Sequence, residues 1–129
     1  MRWCKLPWIN ADTSHARGRV TEAFAENYLI QHGLTAIDRN IHCRQGEIDL
    51  VMREGDTFVF VEVKYRKNNH FGSAVEAVSL AKQNKIRHCV AFFFQQANLN
   101  EYNTPCRFDV IALEGNINQP QVTWLKNAF

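Results

Sequence analysis

Two carboxylates and a lysine stand close together in residues 46–66, GEIDLVMREGDTFVFVEVKYR. They are Asp49, Glu62 and Lys64. Both arms of this stretch alternate, with Ile48, Leu50 and Met52 set against Glu47, Asp49 and Val51, and with Val59, Val61 and Val63 set against Phe58, Phe60, Glu62, Lys64 and Arg66. Period-2 alternation of β-branched and aromatic residues predicts two strands. Gly55-Asp56 between them suits a two-residue type II′ turn, which wants glycine first. That loop fixes the register. Glu54 faces Thr57, Asp49 faces Glu62 and Glu47 faces Lys64. Side chains alternate across a strand, so Asp49, Glu62 and Lys64 share one face. Two carboxylates held opposite each other repel, and each raises the other's pKa. A hard divalent cation removes the conflict, because Mg²⁺ takes one or two carboxylates together with waters and phosphate oxygens. Lys64 would then stand beside the ion, able to orient a water or offset charge on a phosphate. The plain alternative is a solvated hairpin edge.

The elements that must position these groups follow from the rest of the pattern. A helix is expected from about residue 15 or 16 to residue 32, with Ser14 as a cap and Gly33 as its stop. Gly18, Glu22, Ala25 and Leu29 fall on one stripe, flanked by Val20, Phe24 and Tyr28, so Glu22 lies on a packing face. A carboxylate near a helix N-terminus is favoured by the dipole, which is the structural alternative for Glu22. Glu26, one turn later, has the stronger claim to solvent. Residues 34–43 read as a first strand with Asn40 near a bend. The hairpin follows, and then a polar loop at 67–72 in which Lys67 and His70 could touch a phosphate backbone. A capping box at 73–76 and a second cap at Ser79 precede a helix running to about Gln96. Ile86, Cys89, Val90, Phe93, Phe94 and Ala97 form its apolar stripe. Lys82 begins that stripe and either snorkels along packed surface or points into the site, with Gln83 as the alternative. The phenylalanines read as core. A strand at 106–113 carries Arg107 and Asp109, read as a structural ion pair or edge charges rather than as catalytic groups. A short last strand at 121–126 follows, with Trp124 and Phe129 packing onto the body.

Helix, three strands, helix, then one or two strands make a mixed sheet flanked by helices. The strand after the long helix can join in parallel through a crossover. Asp49, a hairpin, and Glu62-Val63-Lys64 resemble the PD-(D/E)-x-K signature of nucleases with the restriction-endonuclease-like fold. Ile48 stands where that signature has proline. More narrowly, the chain resembles the small bacterial YraN-like family, described as Holliday-junction-resolvase-like. The segments that carry this are Glu22-x-x-Ala25-x-x-Tyr28-Leu29, Gly46-Glu47-Ile48-Asp49-Leu50, Phe60-Val61-Glu62-Val63-Lys64, Phe71-Gly72-Ser73, Lys82-Gln83 and Arg107-Phe108-Asp109-Val110. The resemblance runs from about Arg17 to the C-terminus. It implies an α/β fold with an αβββαβ core and phosphodiester hydrolysis in DNA, including branched DNA such as Holliday junctions. It implies Mg²⁺ or Mn²⁺ held by Asp49, Glu62 and the Val63 carbonyl. It makes Glu22, Asp49, Glu62 and Lys64 the candidate catalytic set, and Arg66, Lys67, Lys82 and Gln83 the candidate nucleic-acid or auxiliary contacts. A two-fold junction would suit a homodimer. The rival reading is a nucleic-acid-binding or interaction module on the same fold without significant cleavage.

Composition sets bounds on these readings. At 129 residues the chain is long enough for one core, expected as a single nuclease-like domain over 16–129 behind an N-terminal arm of 1–15. It is 46% hydrophobic and 22% charged, ordinary for a globular domain, and its net charge of +2 permits a DNA partner without demanding one. Cys4, Cys43, Cys89 and Cys106 form no C-x-x-C pair, which excludes a zinc ribbon or a dithiol redox motif. They read as reduced thiols of a cytoplasmic protein. No apolar run approaches a membrane span.

Overall fold

The computed structural model describes residues 14–67 and 78–129, with side chains from residue 18 onward. The expected N-terminal arm, the Ser14 cap, His70, the segment at 71–73 and the capping box at 73–76 lie outside the described backbone or side chains. Seven elements follow in the order α1 (Ser14–Gln31), β1 (Thr35–Cys43), β2 (Gly46–Glu54), β3 (Thr57–Arg66), α2 (Leu80–Gln96), β4 (Cys106–Glu114) and β5 (Gln121–Leu125). This is the αβββαβ core expected, with one more strand. The sheet order is β1-β2-β3-β4-β5, all antiparallel neighbours except β3 and β4, which are parallel.

The hairpin turn sets the frame. Gly55 has φ +59°, which glycine adopts without a Cβ penalty and which a type II′ turn needs at its first loop position. Pairing then runs from Glu54–Thr57 to Leu50–Val61, the register read from the turn. Both helices stop by the same device. At the end of α1, Gly33 (φ +97°) donates to Ile30 O and Leu34 N donates to Leu29 O. At the end of α2, Asn98 (φ +57°) and Leu99 make the same pair of bonds to Gln95 and Phe94. These are Schellman closures, which satisfy carbonyls left over at a helix C-terminus.

The helices cover opposite faces of the sheet. Ala25 and Leu29 of α1 pack with Leu50, Met52, Val59, Val61, Ile111 and Leu113. Ile86, Cys89, Val90 and Phe94 of α2 pack with Val51 and Phe60. Phe58, Phe60, Phe93 and Phe94 interlock with ring centroids 5.6–6.3 Å apart, so the phenylalanine cluster is core. Phe129 stacks on Phe108 and Trp124 packs beneath α1, as expected of the C-terminal segment.

Three expectations are corrected. Ile48 does not lie with Leu50 and Met52 but joins Val51 and Phe60 under α2. Alternation in β2 is therefore not strict around Asp49, since Ile48 and Val51 share the α2 side while Leu50 and Met52 share the α1 side. Glu26 is not exposed; it is buried and bonds Arg39 Nη2 at 2.9 Å across to β1. Cys43 and Cys89 are not reduced thiols: they form a disulfide, Cα–Cα 5.5 Å, joining the end of β1 to α2. That spacing lies in the range a disulfide needs, and only the fold brings together two cysteines 46 positions apart. No helix of the described residues is long and apolar enough to cross a membrane.

Candidate active site

The β2–β3 pairing runs as far as Leu50–Val61, and the next link between the two strands is made by a side chain. Asp49 Oδ2 accepts the Val63 N–H at 2.9 Å. Asp49 thus bonds the backbone one residue past Glu62, the residue it faces by register. The bond fixes the carboxylate against β3 and leaves Glu62 to project on its own. Glu62 is buried, yet its Oε1 meets two ammonium groups, Lys82 Nζ at 2.5 Å and Lys64 Nζ at 3.5 Å. Lys64 follows from strand alternation. Lys82 arrives from the first turn of α2, whose start is fixed by Ser79: its hydroxyl accepts the Lys82 N–H at 3.1 Å. From the other face, α1 contributes Glu22, whose carboxylate is hydrogen-bonded by the Asn40 side chain.

These groups line one open cleft of about 430 Å³, together with Glu47, Thr21, Gly18 and Tyr65. The cleft crosses the layer structure, drawing on α1, β2, β3 and α2. Its electrostatics are those of crowded carboxylates. Burial pushes Glu22 up to about 7, with Glu47 and Glu62 adding to the shift against the opposing Asn40 hydrogen bond and the Arg39 charge. Burial also raises Asp49 well above the usual range, reinforced by Glu62, Glu22 and Glu47 and opposed by the Val63 N–H. On the cationic side, burial and Lys82 lower Lys64 in spite of Glu62. Lys82 is raised: burial would lower it, but the contacts with Glu62 and Lys64 prevail.

The sequence-predicted residues therefore divide. Glu22, Asp49, Glu62, Val63, Lys64 and Lys82 line the same cleft. Gln83 does not; its amide donates to Val78 O at 3.4 Å, tying down the entry to α2. Arg66 and Lys67 are exposed and lie outside the lining. Sequence reasoning missed Asn40 as the partner of Glu22. Its only signal was residue type, since asparagine tolerates the left-handed backbone found there. It also missed Glu47 as a contributor, although the register had already set that residue opposite Lys64.

Among the described residues no three carboxylate, imidazole or thiolate side chains already converge in ligand geometry. The donor set that remains is two carboxylates, Asp49 and Glu62, and the intervening backbone carbonyl of Val63. Oxygen donors of this kind and number suit a hard, largely hydrated cation such as Mg²⁺ or Mn²⁺, and suit a soft metal poorly. Burial is the first cause of the upward shifts of Glu22 and Asp49, and the mutual repulsion of Glu22, Glu47, Asp49 and Glu62 that adds to them is the part a cation would relieve.

Comparison with known proteins places the chain. The UPF0102 protein of Colwellia psychrerythraea is 59% identical over 129 residues, the full length of both chains. The UPF0102 protein of Pseudomonas syringae pv. syringae is 47% identical over 122 residues, 94% of this chain and 98% of its own. That of Photobacterium profundum is 46% identical over 113 residues, 88% of this chain and 89% of its own. Among solved structures, a repair endonuclease from Pyrococcus abyssi aligns with TM-score 0.41 and 19% identity, over 87% of this chain and 42% of its own length. The model for Uncharacterised protein family UPF0102 matches residues 21–113, a stretch that includes every lining residue from Thr21 to Lys82. With so much of its length covered, the chain belongs to that family, which is the YraN family its motifs resemble.

Proposed function

We propose that this protein is a metal-dependent endonuclease that hydrolyses phosphodiester bonds in DNA, with branched DNA such as Holliday junctions among the substrates to be tested. The observation that carries the reading is the meeting of Glu22, Asp49, Glu62, Lys64 and Lys82 in one cleft where β2 and β3 part. Such a grouping costs stability, and its separate parts come from four elements, so local propensity does not account for it. Asp49, Glu62 and the Val63 carbonyl would hold Mg²⁺ or Mn²⁺. When bound, the ion would supply Lewis acidity toward a phosphoryl oxygen and an acidified water.

The chain's own groups do the rest. Asp49 keeps its orientation through the Val63 N–H. Lys64, beside Glu62, orients the attacking water and offsets charge developing on the phosphate. Glu22, ionising near pH 7, is matched to accept a proton at neutral pH from a water within its reach. Arg66 and Lys67, exposed at the end of β3, would meet the phosphate backbone outside the cleft. A homodimer would present two such clefts to a two-fold junction.

The test is cleavage of labelled four-way-junction, flap, single-stranded and linear duplex DNA with Mg²⁺, with Mn²⁺ and with chelator. Metal-dependent cutting is expected, reduced roughly 10²–10³-fold or more in Asp49→Asn and in Glu62→Gln. A folded protein that binds these substrates and cuts none of them under any condition is a binding module, and the enzymatic reading is then wrong.

A further inference from the structure

Lys82 stands where helix stability would put an acid. It is the third residue of α2, and Ser79 caps the backbone N–H of that same residue. In this pattern a glutamate or glutamine at the lysine's position would reach back to the cap and close a capping box. The first turn of α2 carries no acidic residue at all, although the positive end of the helix dipole disfavours a cation there. Its ammonium is also not left to solvent. It is directed across to β3, onto Glu62 Oε1 at 2.5 Å, a shorter contact than the 3.5 Å from Lys64 to the same atom. Glu62 is 4% exposed, so this ammonium is a principal source of compensation for a carboxylate that water reaches poorly.

We propose that Lys82 is an internal counter-cation that occupies Glu62 until a divalent metal displaces it. This inference rests on the metal reading of Asp49 and Glu62 given above. Two cations cannot both use the same carboxylate oxygen at full strength. Metal binding therefore separates Lys82 from Glu62, and the Lys82–Glu62 contact weakens metal binding by the same factor. In its contact with Glu62 the Lys82 side chain is 38% exposed at the rim of the cleft, so once displaced its long stem lets the ammonium take a phosphate oxygen of the substrate. The exchange keeps the acidic cleft compensated while metal-free, and releases a phosphate-binding cation only when the metal is in place. Lys82 in this scheme acts through Glu62 while the site is metal-free and on the substrate phosphate once displaced.

Titration calorimetry with Mn²⁺ alone on the full chain tests this without reference to activity. The variants are Lys82→Met, Lys82→Arg, Lys85→Met as a control for loss of one nearby positive charge, and Asp49→Asn. Lys82→Met is expected to bind Mn²⁺ about three- to tenfold more tightly than wild type, the range for losing one competing charge-assisted contact in a partly solvated cleft. Lys82→Arg and Lys85→Met should stay within about twofold of wild type. In chelator, Lys82→Met should melt below wild type, and saturating Mn²⁺ should close that gap. Mn²⁺ affinity in Lys82→Met equal to or weaker than wild type, with binding still abolished in Asp49→Asn, overturns the counter-cation and leaves the metal site standing. Absence of Asp49-dependent Mn²⁺ binding in both wild type and Lys82→Met overturns the metal reading, and the inference with it.

Discussion

Two aspartates in this molecule are buried to a similar degree and have opposite surroundings. Asp109 accepts from Arg107 Nε at 3.1 and 3.2 Å, from Trp124 Nε1 at 2.9 Å and from the Asn127 N–H at 2.9 Å. Arg107 is itself held by Glu54 at 2.6 Å. Every part of that carboxylate is compensated, which is the signature of a structural group. Asp49 accepts the Val63 N–H and otherwise faces the charges of Glu62, Glu22 and Glu47, which raise its pKa after burial has done so. The two should respond oppositely to mutation. Asp109→Ala leaves Arg107 Nε, Trp124 Nε1 and the Asn127 N–H without their acceptor and is expected to cost about 3 kcal/mol in urea denaturation. Asp49→Asn keeps an acceptor for Val63 and removes a carboxyl group whose ionisation burial and the neighbouring carboxylates disfavour, so the metal-free fold should be at least as stable as wild type. Loss of stability in both variants would remove the distinction drawn between them.

At the scale of elements, what was legible in the sequence was whatever a local pattern determines. The hairpin is the clearest case, because alternation and a glycine-first loop together fix which residues face each other. The α2 stripe was legible for the same reason, and so was the Arg107–Asp109 pair, two residues apart on one strand face. What was not legible depends on contacts between elements. Ile48 packs with Val51, Phe60 and the residues of α2, a placement that alternation along β2 alone does not give. Glu26 is buried because Arg39 comes to meet it from β1. The Cys43–Cys89 disulfide could not be read from spacing, since the two cysteines meet only when α2 lies across the sheet. That bond spans from β1 to the middle of α2, two helical turns beyond Lys82, so it also secures the helix that supplies the lysine. Closing a loop of 46 residues is expected to stabilise the fold by about 4 kcal/mol on chain-entropy grounds. Denaturation with and without reductant measures it. Without reductant, alkylation of the denatured chain should leave Cys43 and Cys89 unmodified while labelling Cys106, which is free.

The acidic cleft belongs to the molecule as a whole, since Glu22, Glu47, Asp49 and Glu62 come from a helix and two strands that only the complete fold brings together. Its titration is therefore coupled to global unfolding. In the unfolded chain a glutamate ionises near 4.3 and an aspartate near 3.9. In the native protein Glu22 ionises at about 7 and Asp49 is raised in the same direction. Glu22 therefore holds more protons in the native than in the unfolded state between about 4.3 and about 7, so stability falls as pH rises through that window, and Asp49 adds a decline of the same sign. Glu54 has the opposite sense, being lowered by the Arg107 hydrogen bond, but its contribution changes only below its ordinary range near 4.5 and leaves this window alone. Glu22 keeps partial contact with solvent, so its share is about 1 kcal/mol after screening, or roughly 3–5 °C in Tm. Melting the metal-free protein at pH 5, 6, 7 and 8 in chelator should show that decline. The Glu22→Gln, Asp49→Asn double variant should lose most of it. A wild-type Tm that is flat or rising across the window, or a decline that the double variant keeps in full, would mean that these carboxylates are not the destabilised groups their surroundings make them.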